Sequence, residues 1–68
     1  MSGDKTVTEL EVIQAPWNKE ITVSEVSYDG GYTMLHLRIK EGRRFTDLEL
    51  DAETAAKIAG HIANYSQN

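Results

Sequence analysis

The chain has 68 residues and a net charge of −4, a balance that argues against a protein whose whole surface binds nucleic acid or anionic lipid. Cysteine is absent, so neither a disulfide nor a thiolate metal site can supplement the core. A chain this short buries only about 60% of the surface its unfolded form exposes, which leaves packing and self-association as its supports.

The first residues, MSGDKTVTE, have neither a basic n-region nor an apolar h-region, and no apolar run approaches the roughly 20 residues of a membrane helix. The expectation is a cytoplasmic protein without membrane partners, forming one small domain over residues 1–68 with ends that fray over about 1–5 and 66–68.

Thr6 to Ile13 (TVTELEVI) alternate, setting Leu10 and Val12 on one face and Glu9 and Glu11 on the other, the period of a half-buried strand. Gln14 to Lys19 (QAPWNK) interrupt it. Pro16 lacks a donor and favours an extended or turn conformation before it, and Trp17 is expected to cover one end of the core.

Glu20 to Tyr28 (EITVSEVSY) read as a second strand whose apolar phase changes, from Ile21 and Val23 to Val26 and Tyr28. Two explanations fit. A bulge near Ser24 and Glu25 would rotate Val26 and Tyr28 into the core. Alternatively Asp29-Gly30-Gly31 forms a three-residue loop, so that Tyr28 faces Tyr32, Val26 faces Met34, Val23 faces Leu37 and Ile21 faces Ile39, with no bulge.

Tyr32 to Lys40 alternate cleanly, with Leu35, Leu37 and Ile39 on one face and Met34, His36, Arg38 and Lys40 on the other. The next turn has two readings. A two-residue loop of Glu41-Gly42 sets Phe45 beside Arg38 on the far face and His36 against Asp47. A three-residue loop of Lys40-Glu41-Gly42 sends Phe45 to the core against Leu37.

Asp51 ends the fourth strand as a helix N-cap, able to accept from the free amides of the first turn and to favour the positive end of the helix dipole. From Ala52 to Tyr65 the residues Ala55, Ile58, Ala59, Ile62 and Tyr65 recur at spacings of three and four, one stripe to pack on the sheet. Gly60 lies off that stripe, either for a close backbone approach or for no packing reason.

The predicted fold is α+β, an antiparallel four-stranded β-meander with one C-terminal α-helix packed on one face. Its predicted core is Leu10, Val12, Ile21, Val23, Leu35, Leu37, Ile39, Leu48, Leu50, Ala55, Ile58, Ala59 and Ile62.

The segments EVIQAPWNKEI and LRIKEGRRFTDLELD resemble a family of short uncharacterised bacterial proteins, in which an APW segment precedes a hairpin reading LRIREGRRFT and a DLD helix start. The resemblance implies a short stand-alone bacterial domain and carries no activity or site residue.

Chemistry is sparse. His36 and His61 lack a second histidine or cysteine at metal-ligand spacing. A His36–Asp47 pair could orient a base, but no nucleophile or oxyanion donor set accompanies it, and a cross-strand surface pair explains it equally. Asp47, Glu49 and Asp51 alternate and could hold a hard cation, although Arg38 and Lys40 can neutralise the row. The glycine pairs lie in hairpin turns and open no helix, so no phosphate loop is read. No enzymatic activity, cofactor or metal is therefore expected.

Two surfaces remain. Val26, Tyr28, Tyr32 and Met34 would form an apolar patch on the sheet face opposite the helix, and such a patch on a small chain marks an interface with a protein partner or a second copy. The expected function is accordingly a non-enzymatic interaction module, homodimeric or bound to another protein. The alternative is single-stranded nucleic-acid binding at the hairpin tip, where Arg38, Lys40, Arg43 and Arg44 fall in a seven-residue window of charge +3, leaving −7 for the rest of the −4 chain. The sheet-then-helix order resembles in outline small homodimeric coactivator domains that bind single-stranded DNA. A solvated turn that discourages aggregation explains the same charges.

Overall fold

The computed structural model describes residues 5–67. Four strands, β1 (Lys5–Ala15), β2 (Lys19–Tyr28), β3 (Thr33–Glu41) and β4 (Arg44–Leu50), form one antiparallel sheet in the order β1-β2-β3-β4, followed by the helix α1 (Ala52–Ser66). The four-stranded meander and C-terminal helix are as the hydrophobic periods predict. Fraying was expected over the ends; residues 1–4 and 68 lie outside the described residues, while Lys5 pairs with Tyr28 and Ser66 closes α1.

The β2–β3 hairpin adopts the bulge-free register. Val26 faces Met34, Val23 faces Leu37 and Ile21 faces Ile39, and the Tyr28 N–H donates to the Tyr32 carbonyl at 2.9 Å. The irregularity lies instead in β1, where the register shifts between Glu9 and Glu11. That bulge at Leu10 separates it from Val12. Glu9 sits opposite Ser24 and Val12 opposite Thr22, whereas Glu11 sits opposite Val23, so the simple alternation read for β1 holds only on either side of the bulge.

The β3–β4 turn differs from both readings of the sequence. Glu41 pairs with Arg44, leaving Gly42 and Arg43 as the loop. Gly42 has φ 64 at the first central position, as a type II′ turn demands. This offset sets Leu35 against Leu50, Leu37 against Leu48 and Arg38 against Asp47. Two leucine pairs and an ion pair face directly, where the Glu41-Gly42 loop would have paired only Leu35 with Leu48. Phe45 faces Lys40 and so belongs to the far face.

Directly opposed residues share a sheet face. The helix-side face carries Ile13, Ile21, Val23, Leu35, Leu37, Ile39, Leu48 and Leu50; the far face carries Val7, Val12, Val26, Met34, His36, Arg38, Phe45, Asp47 and Glu49. Among the described residues the helix backbone comes closest to β3 and β4, and Ala52 and Ala55 border Leu10, Leu35 and Leu50 around a cleft of about 300 Å³. None of its residues is buried.

The predicted core is therefore only partly closed. Among the described residues the buried apolar side chains are Val26 and Leu50, while Leu10, Val12, Leu48, Ile58 and Ile62 are exposed. Trp17, expected to cover the core, is 87% exposed. The Cα radius of gyration is 13.8 Å, against about 11 Å for a compact chain of this length.

Candidate functional site

The far face closes over itself with polar side chains. The Tyr28 ring stacks on Tyr32 at 5.0 Å, and its hydroxyl donates to Glu49 Oε2 at 2.6 Å. Asp47 Oδ1 accepts from Arg38 Nε at 2.8 Å and lies 2.8 Å from His36 Nε2, while Arg38 Nη2 donates to Oδ2 at 3.4 Å. Arg38 also sits 5.2 Å over the Phe45 ring. The Arg38 and His36 hydrogen bonds hold the Asp47 carboxyl below its usual value. Hydrogen bonding to Glu49 raises the Tyr28 phenol.

This closure bears on the patch Val26, Tyr28, Tyr32 and Met34. Val26 is 1% exposed and offers no surface. Tyr28 and Met34 are half-buried, and Tyr32 is exposed. The register sets Val26 opposite Met34, and Tyr32 joins the same face by stacking on Tyr28.

The His36–Asp47 contact exists, but diagonally, since Glu49 faces His36. Arg38 shares the same carboxylate, and neither the cleft between α1 and the sheet nor the one at the Gly42 turn is lined by His36 or Asp47. The acidic row splits as well, because Asp51 leaves the strand to cap α1, accepting from the Thr54 N–H at 2.8 Å. Among the described residues no group of three His, Asp or Glu is placed to hold a metal ion.

The basic residues diverge. Arg38 is bound to Asp47, Lys40 shares the far face with Phe45, Arg43 lies in the turn, and Arg44 faces Glu41 on the helix side. Glu41 also pairs with Lys19 at 3.0 Å. The turn containing Trp17 lies at this same end, where Asn18, Lys40 and Gly42 border one cleft.

A further feature is apolar. On the helix-side face Ile21, Val23, Leu37 and Ile39 are half-buried without a close approach of α1 to β2, and exposure rises along the helix stripe from Ile58 at 39% through Ile62 at 59% to Tyr65 at 82%. Periodicity identifies both surfaces, but it cannot show that they fail to meet within one chain.

The model of a family of unknown function, DUF6967, matches residues 4–68. The chain belongs to DUF6967. The APW and LRIKEGRRFT segments that implied an uncharacterised family lie inside the matched span. No curated protein and no solved structure matches this DUF6967 chain. Among its described residues no helix is long and apolar enough to cross a membrane.

Proposed function

We propose that this DUF6967 chain is a non-enzymatic interaction module that works as a self-associated assembly. The observation that carries the reading is its surface. The chain exposes 5567 Å², whereas a folded monomer of 7.6 kDa exposes about 4,300 Å². The excess is roughly 1,300 Å² per chain, and the exposed large apolar residues include Leu10, Val12, Ile13, Leu48, Ile58 and Ile62. Composition and the resemblance noted above support the bacterial cytoplasm as the setting.

The sequence suggests the far face as the contact. Val7, Val12 and Phe45 are exposed on that face, but we assign the main contact to the helix side, because there the apolar stripe of α1 is exposed as well, at Ile58, Ile62 and Tyr65. Sedimentation equilibrium over a wide dilution range tests the reading. A dimer or higher mass at micromolar concentration is expected; a folded monomer throughout would sink it.

A second reading, single-stranded nucleic-acid binding, is favoured by one observation, the exposed Trp17 indole beside the Gly42–Arg43 turn. An amide titration with mixed-sequence single-stranded DNA and RNA at low and near-physiological salt tests it. Shifts on Trp17 and on residues 40–45 that survive the higher salt would support a stacking and phosphate site; shifts abolished by salt would leave a solvated tip.

A further inference from the structure

We infer that the occupant of the open helix-side face is a second copy of this chain, the two copies exchanging helices so that the α1 stripe of each packs on β2 and β3 of the other. The inference deepens the self-association reading and rests on it.

Two unpartnered apolar surfaces exist in one chain and suit each other. One is the sheet face of Ile21, Val23, Leu37 and Ile39; the other is the stripe of Ile58, Ala59 and Ile62. The small residues Ala55 and Ala59 let a helix approach a sheet closely, while Glu53, Lys57 and His61 keep the opposite side of the helix polar.

The connection explains why the two do not meet within the chain. Only Asp51 separates β4 from α1. Its backbone is held extended, at φ −79 and ψ 172, and its carboxylate caps the first turn through Thr54. A capped helix leaving a strand through one residue has its direction set at that residue, and here it diverges from the sheet, as the rising exposure of Ile58, Ile62 and Tyr65 records. Folding it back would require a different conformation at Asp51.

The area selects a copy of the chain as partner. Bringing the surface of two chains to that of folded monomers of their size would remove roughly 2,600 Å² in all, within the range of about 2,000–5,000 Å² typical of obligate homodimers. Each chain supplies one sheet face and one helix stripe, so a twofold axis satisfies both pairs at once and leaves neither of these two surfaces free to propagate. A helix from an unrelated protein would cover the sheet but leave this chain's own stripe in water.

The test mixes methyl-labelled and unlabelled copies of the full chain and records isotope-filtered NOEs, with the mass measured by sedimentation on the same sample. The expected result is a dimer with inter-copy NOEs from Ile58 and Ile62 methyls to those of Leu37 and Ile39. Ile62→Asp should then raise the dimer dissociation constant at least tenfold. A dimer whose helix-to-sheet NOEs are all within one copy, or whose inter-copy NOEs join Val7, Tyr32 and Phe45, overturns the exchange while leaving self-association intact. A monomer overturns both.

Discussion

Tyr28 and Glu49 are joined across the full width of β3, the phenol of β2 donating to the carboxylate of β4 at 2.6 Å. The bond bridges two strands that are not neighbours in the sheet, so it ties β2 to β4 across β3. It favours the neutral phenol, raising Tyr28 above its ordinary value. Such a group contributes stability that is complete below the unfolded value of about 10 and is lost as pH rises through the higher folded value. In alkaline unfolding, Tyr28→Phe should abolish that component, and ultraviolet titration should show one late-ionising tyrosine vanish with it. Three tyrosines titrating alike in the parent protein would contradict the bond.

Asp47 gives the opposite sign. Its carboxyl is held low, first by the Arg38 hydrogen bond and then by His36. Its contribution is therefore present above the unfolded carboxylate value of about 3.9 and is lost as pH falls through the lower folded value. Acid unfolding followed by circular dichroism should flatten at the low-pH end in Asp47→Asn, and the parent curve should lose that component in high salt, since the pair is half open to water.

Asp51 sets both the start and the direction of α1. Its carboxylate accepts from Thr54, satisfying a helix amide that otherwise has no partner. Asp51→Ala should reduce helicity and lower the melting midpoint by a few degrees, whereas Asp51→Ser or Asp51→Asn should restore most of both. In an exchanged dimer the alanine variant should also associate more weakly, because the cap aims the stripe. Unchanged helicity would remove the cap from this account.

Much of the fold is legible in the residues. The alternation of Leu35, Leu37 and Ile39, the glycines after Asp29 and the cap at Asp51 predict the strands and the helix start closely. Turn registers are less legible. Gly42 can close a loop from either side, and only the combined pairing of Leu35 with Leu50, Leu37 with Leu48 and Arg38 with Asp47 chooses Gly42–Arg43. The bulge at Leu10 is masked by the alternation of Glu9, Leu10, Glu11 and Val12, and its one trace is that Val7 and Val12, five residues apart, share the far face. Whether the α1 stripe reaches its own sheet is harder still. Periodicity shows which side of an element is apolar, whereas its partner depends on the backbone angle at the single residue Asp51.

Trp17 has φ 59 and Asn18 φ 62, two left-handed residues in the three-residue connection between the paired Ala15 and Lys19. Asparagine tolerates this region, but for tryptophan it costs roughly 1 kcal/mol or more. With the indole almost wholly in water, the folded chain recovers little in exchange. Trp17→Asn should therefore raise stability by roughly 0.5–1 kcal/mol, read as a higher midpoint in urea. A lowered midpoint would mean that the indole is packed in the assembled protein, and its fluorescence should then shift to shorter wavelength as the protein assembles.

Gly60 gives an independent reading of the helix surface. It sits inside α1, off the stripe, and a Cβ built there meets nothing within 4 Å. A mid-helix glycine costs roughly 0.5–1 kcal/mol relative to alanine, so Gly60→Ala should stabilise the protein by about that amount without altering its assembly. The exchanged dimer makes the same demand, since it buries the Ile58 and Ile62 side of the helix and leaves the Gly60 side in water. Thermal melts at several concentrations separate the cases. A rise that is equal at all concentrations fits a solvent-facing glycine, whereas a fall that deepens as concentration rises would mean that a neighbouring copy approaches the helix backbone at Gly60 and that α1 docks on a different side.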